Sequence, residues 1–249
     1  MIRPRLVAAV ASREVRTLLR NRALLAVAAA FAAVVLGLGG ASMGSPGGYV
    51  SLTYDLLLPV ELLVPVLAFA VGFQSIRGDD ERGTLSILRT YSVSRLEYVL
   101  GVFVGRAVPA FVLVVAVLGA AGVVAGLGAP PTSSFLATHS AGDTPLIYGR
   151  FVLFAGWYVL ATVAFVLAAS ALARTDREAL AAGVGVVVIV AFLADLALVA
   201  LLTTGFVGDL IGVLVGLAPA SAFRGLVLEL AIRPAIAADP GVATGHPLV

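Results

Sequence analysis

Three carboxylates stand in or beside long apolar runs: Asp55, Glu61 and Asp195. An ionised acid at mid-bilayer costs several kcal/mol unless it is neutralised or paired, so each is a candidate for a pathway through a membrane. Glu61 lies between Pro59 and Pro65, which free backbone carbonyls and let a helix bend beside a pathway. It is the first choice for a substrate contact. The same residues also fit a structural role, with Asp55 at an outer interface and Glu61 protonated or paired inside a bundle.

Other chemistry is excluded by what the sequence lacks. There is no cysteine, and hence no disulfide, thiolate metal site or thiol nucleophile. His139, His246, Met1 and Met43 are scattered, so no metal site is expected. All 16 basic residues are arginine. A phosphate-binding loop of the G-x-x-x-x-G-K-[ST] type therefore has no lysine to use, and nucleotide energy would have to come from a partner. No H-E-x-x-H occurs and the two histidines are not clustered, which argues against an enzyme. A net charge of +2 is too small to suggest nucleic acid.

The composition names the solvent. Hydrophobic residues make up 61% of the 249 and charged residues only 12%, where a soluble domain carries about 25% charged. With a mean hydropathy of +1.09, much of the surface must face lipid, so an all-α integral membrane protein is expected. We read the chain as one transmembrane domain over 1–249. Residues 4–20 form an amphipathic helix with Arg5, Arg13, Arg16 and Arg20 on one arc and Val7, Ala11, Val15 and Leu18 opposite. That pattern suits a helix lying in the membrane interface, arginines toward lipid phosphates.

Apolar runs follow at 22–40, capped by Asn21, and at 53–75, about 98–127, 147–172 and 179–203. About 20 helical residues cross a hydrocarbon core of roughly 30 Å. Ser94 with Glu97 and Thr175 with Glu178 have capping-box spacing. Residues 206–217 are too short to span alone, so 204–249 reads as an outer segment with one or two short helices. Gly119, Gly122 and Gly126 suit close helix packing, and Trp157 suits a span residue or interfacial anchor.

Twelve of the sixteen arginines fall in 1–22, 76–97 and 173–178, and none in 41–52 or 128–146. The positive-inside rule then puts the N-terminus in the cytoplasm. Arg106 and Arg150 sit near span ends, where they could snorkel. The first long apolar run begins only after Arg22, so no cleavable signal peptide is expected.

The densest polar stretch is 76–97, with four arginines and four acids around an apolar pair, Leu85 and Leu88. A short helix, apolar on one side and charged around its base, suits docking into a groove on a cytoplasmic partner. The pattern Glu81-Arg82-Gly83-Thr84-Leu85, then Leu88 and Ser92-Val-Ser-Arg95, with Gly101 and Gly105 in the next span, resembles the coupling-helix region of type-two ABC transporter permeases. Arg13-Glu-Val-Arg16 and Arg20-Asn-Arg22 resemble that family's N-terminal elbow helix. Leu217-Ala-Pro219 through Arg224 resembles the outer element near its last span. The nearest branch is the NosY-like one.

The resemblance implies a separate ATPase that holds the ATP and magnesium, no cofactor on this chain, and a second permease copy or related permease. An outer-side accessory protein would fit as well. Glu81 and Arg82 would orient the loop, Gly83 would permit its bend, and Leu85 and Leu88 would fill the ATPase groove. The family usually has six spans. Five are expected here, or six if 204–217 contributes, since His246–Val249 stand where a last span would start. A branch linked to nitrous-oxide reductase maturation invites a copper or sulfur-species cargo. Direct copper handling does not fit a chain without cysteine and with two methionines, because Cu(I) favours thiolate and thioether ligands. The alternatives are an ion-gradient transporter using Glu61 or Asp195, and a scaffold recruiting proteins through 76–97.

Overall fold

The computed structural model describes residues 3–43, 48–73, 75, 94–127, 145–193, 196, 199–200, 203 and 218–234. Among these the regular structure is helical: α1 (Pro4–Leu19), α2 (Arg22–Ala41), α3 (Gly48–Gly72), α4 (Arg95–Leu127), α5 (Pro145–Leu172), α6 (Asp176–Val188) and α7 (Pro219–Leu226). A π-helical stretch, Ile189–Leu193, extends α6, and another, Val227–Ile232, extends α7. Four helices, α2 to α5, are long and apolar enough to cross a membrane. The run expected at 179–203 is described continuously only to 193, and 206–217 lies outside the described residues.

The expected punctuation is present. The Asn21 side chain accepts from the backbone N–H groups of Ala23 and Leu24 and starts α2. Pro4 opens α1, where its missing N–H costs nothing. Before α4 both arms of the capping box form: Ser94 N–H donates to Glu97 Oε2 at 2.8 Å, and Glu97 N–H donates to Ser94 Oγ at 3.2 Å. Before α6 only one arm matches the expectation, with Glu178 N–H on Thr175 Oγ1 at 3.2 Å. The Glu178 carboxylate reaches one residue further back, to the Arg174 N–H at 2.7 Å.

Helices α3 to α6 all start earlier than their apolar runs, α3 by the most. α3 begins at Gly48, not 53, because Tyr49 meets Tyr148 of α5 and Val50 and Leu52 are buried. Tertiary packing sustains a turn that hydropathy alone does not mark. α4 has 33 residues, about 50 Å at 1.5 Å per residue, which exceeds the roughly 30 Å hydrocarbon core. Its first turns are therefore available to something other than lipid, and α1 packs there.

α3, α4 and α5 pack on one another, with α2 laid against α3 and α4 and α7 against α5 and α3. Leu52, Leu56, Val60, Val64 and Leu67 of α3 meet Leu118, Phe151, Val159 and Val163 in one buried cluster. Gly122 belongs to this packing, since a Cβ there would lie 2.4 Å from the Tyr148 ring. Gly119 does not: it has nothing within 4 Å of an added Cβ and faces outward. Trp157 is exposed in the middle of α5, the place of a span residue rather than of an anchor near a helix end.

α1 seats on a glycine pair. Added Cβ atoms would lie 2.5 Å from Val10 Cβ at Gly101 and 2.6 Å from the Ala11 carbonyl oxygen at Gly105. The spacing Gly101-x-x-x-Gly105 puts both on one face of α4. Gly105→Val should therefore detach α1 at a cost of about 1–3 kcal/mol, the usual range for overpacking. Hydrogen exchange should rise across 4–19 and stay unchanged in α3 and α5.

Candidate functional site

The residues expected to couple the chain to an ATPase, Glu81, Arg82, Gly83, Thr84, Leu85 and Leu88, lie outside the described residues, and Arg95 is the exposed first residue of α4. What the structure does describe is how the two ends of that segment are held.

At the exit from α3, the last carbonyls of the helix lack intrahelical partners. Phe73 N–H returns to the Phe69 carbonyl at 2.7 Å and Ser75 N–H to that of Gly72 at 3.2 Å. The Val71 carbonyl instead accepts from Arg106 Nη1. A cation at a helix C-terminus also complements the helix dipole. The same guanidinium grips Glu14 of α1, with Nε and Nη2 each 2.8 Å from Oε2. Arg13 holds the other carboxylate oxygen of Glu14, Nη2 to Oε1 at 2.7 Å. Arg106 was expected to snorkel. It is 8% exposed and Glu14 2%, so the structure corrects that reading to a buried ion pair. Glu14 falls about 20° beyond Val7 at the edge of the apolar arc of α1, away from the arginines, and a charge placed there is the signal that could have announced a buried partner.

At the re-entry into α4, Glu97 completes its capping box and also takes Arg3. The Arg3 backbone N–H donates at 2.7 Å to Oε1, and Nε and Nη2 reach the two carboxylate oxygens at 3.1 Å each. The hydrogen bond to Glu97 raises the Arg3 pKa above its ordinary value, desolvation opposes, and charge attraction adds to the rise. Both ends of the segment are thus tied to one helix. The two ties are 11 positions apart along α1 and nine along α4, so the helices run side by side in the same sense.

A second charged centre lies halfway along α3. Glu61, 2% exposed, accepts two hydrogen bonds from Arg224 of α7, Nε to Oε2 at 3.1 Å and Nη2 to Oε1. Pro65 has no N–H to give the Glu61 carbonyl, and the Tyr158 hydroxyl donates to that carbonyl at 2.9 Å. Tyr158 stacks on Phe223 at 4.9 Å, which seats α7 one residue from Arg224. The proline spacing was legible in the sequence, but the partner was not, because 163 residues separate Glu61 from Arg224. Asp55 is exposed near the start of α3 and accepts from Ser42 Oγ at 3.2 Å. Asp195 lies outside the described residues. Among the described residues no cluster of His, Asp or Glu could hold a metal.

On the face of α1 turned away from α4, Ala9, Ser12, Arg13, Arg16, Thr17 and Arg20 line a shallow cleft of about 330 Å³. Arg5 is exposed one turn before it.

A family model described as "ABC-2 family transporter protein" matches residues 8–233. The chain belongs to the ABC-2 transporter family. Two relatives carry the name "Probable ABC transporter permease protein NosY". The one from Stutzerimonas stutzeri is 32% identical over 203 residues, covering 78% of this chain and 69% of that protein. The one from Pseudomonas aeruginosa is 31% identical over 201 residues, covering 78% and 70%. This ABC-2 chain is accordingly a multi-pass membrane permease, NosY-like and not itself an enzyme; the ATPase of such a transporter is a separate subunit. The glycine pair and the elbow-like helix picked out from the sequence as features of this family are the parts that meet at α1 and α4.

Proposed function

We propose that this chain is the membrane subunit of an ATP-driven ABC transporter and that a cytoplasmic ATPase docks on residues 76–97. ATP and magnesium reside in that partner. Leu85 and Leu88 fill its groove, Glu81 and Arg82 orient the loop, Gly83 and Thr84 shape its bend, and Arg95 flanks it. Family membership carries this reading, and the fastening of both ends of the segment supports it: a loop that receives force needs rigid ends. The N-terminus is cytoplasmic, as the arginine distribution favours. α1 lies in the interface with Arg5, Arg13, Arg16 and Arg20 toward lipid phosphates, and its arginine-lined cleft fits a phosphate group. Two permease copies, or this chain and a related one, enclose the pathway, with Glu61 and Arg224 beside it and Asp55 and Asp195 as further acids along it. An outer-side accessory protein delivers or receives the substrate.

Purification of the tagged chain in mild detergent should bring down an ATPase subunit in stoichiometric amount. Leu85→Asp should abolish that association and leave membrane insertion unchanged, because a carboxylate in an apolar groove is left without a partner. Unchanged recovery of the ATPase with Leu85→Asp would overturn the docking site.

A further inference from the structure

The segment between α3 and α4 leaves and re-enters the bundle at two helix ends, and each end is completed by a group that also binds α1. Arg106 caps α3 at the Val71 carbonyl while holding Glu14. Glu97 caps α4 at Ser94 while holding Arg3. The glycine pair lets α1 sit at backbone distance between these two ties. Ordinary helix ends are completed by local caps, tightened last turns or water, with no third helix. Here the third helix is the same at both ends.

We infer that Arg106 is a positioning residue for coupling: it fuses the end of α3, the start of α4 and α1 into one unit, so that a push on the intervening segment moves all three together. This rests on the reading that an ATPase acts on that segment. Arginine suits the place because its fork serves two acceptors at once, the Glu14 carboxylate and the Val71 carbonyl, where lysine presents a single ammonium on a flexible stem. Burial matters equally. In a site this dry the guanidinium has little water to exchange with, so the three groups separate together or not at all. Arg13 on the other oxygen of Glu14 keeps that carboxylate turned toward Arg106.

The native sequence has no cysteine, so spin labels can be placed singly. Labels at Phe73 and Leu96 flank the segment, and labels at Ala8 and Leu146 report on α1 against the far end of α5. In the isolated permease the Phe73–Leu96 distance distribution should be narrow, should broaden in Arg106→Gln, and should be restored only in part in Arg106→Lys, whose ammonium keeps the charge but not the fork. With the ATPase bound, trapping with ATP and vanadate should shift the Ala8–Leu146 distance in the native protein. Arg106→Gln should lose most of that shift while the ATPase still co-purifies and hydrolyses ATP.

Glu14→Leu/Arg106→Met, which removes the pair without leaving a buried charge, should also lose the shift, and it covers the case in which Arg106→Gln fails to fold. A Phe73–Leu96 distribution unchanged in both variants would overturn the positioning role. So would a nucleotide-driven shift of native size in either. If the native chain recruited no ATPase, the docking reading would fall, and the width of the Phe73–Leu96 distribution would still decide what Arg106 holds.

Discussion

Arg224→Ala should destabilise the folded chain by about 3–5 kcal/mol, the range seen when one partner of a buried ion pair is removed. The reason is the asymmetry of the pair. The Glu61 side chain is 3% exposed and that of Arg224 41%. Deleting the arginine leaves a carboxylate with no water and no cation. Deleting the acid leaves a guanidinium that retains access to its surroundings. Glu61→Ala should therefore cost clearly less than Arg224→Ala, and Glu61→Gln less again, since the amide oxygen still accepts a hydrogen bond from Arg224. Denaturant titration of the purified protein in detergent would rank the three. Equal losses for Arg224→Ala and Glu61→Ala would mean that the pair is solvated alike on both sides. A charge-reversed pair, Glu61→Arg with Arg224→Glu, should recover only part of the loss, because the longer side chain would then occupy the tighter position beneath Tyr158.

The second large effect is expected at Glu14. In Glu14→Ala the Arg106 side chain, 9% exposed, loses its carboxylate and keeps the Val71 carbonyl as its remaining acceptor here. The expected loss is again about 3–5 kcal/mol, concentrated in α1 and the first turns of α4. Glu14→Leu/Arg106→Met should be close to native stability, because well-packed apolar replacements of buried pairs are often neutral or stabilising. Differential hydrogen exchange across 4–19 and 95–106 would separate the two variants. Stability restored together with a lost nucleotide response would show that the pair serves coupling rather than folding. Loss of both in the double variant would instead make the pair an ordinary part of the fold.

These effects concern residues whose importance was unevenly legible. The spans, the Asn21 cap, the Ser94–Glu97 capping box and the amphipathic character of α1 follow from short-range pattern: hydrophobic period, helix-end chemistry and run length act within a few residues, so one sequence suffices. The early start of α3 was not legible, because it depends on Tyr49 finding Tyr148 on another helix. Gly119 and Gly122 carry the same side chain and lie one turn apart, yet only Gly122 faces a neighbour. Rotation of α4 about its axis, set by its partners, separates them.

The charges divide in the same way. The sequence alone determined that Glu61 needs neutralising, since its surroundings in the chain are apolar and flanked by prolines. It also determined that no thiol, lysine or histidine cluster could supply chemistry of its own. Only the tertiary structure decided that Arg224 answers Glu61 and that Glu14, Arg106 and the Val71 carbonyl form one buried knot. A charge in an apolar segment announces that a partner must exist, because leaving it bare is too costly. Which of sixteen identical guanidinium groups takes that place depends on how the helices pack, and that is settled by contacts between residues about 35 to 163 positions apart.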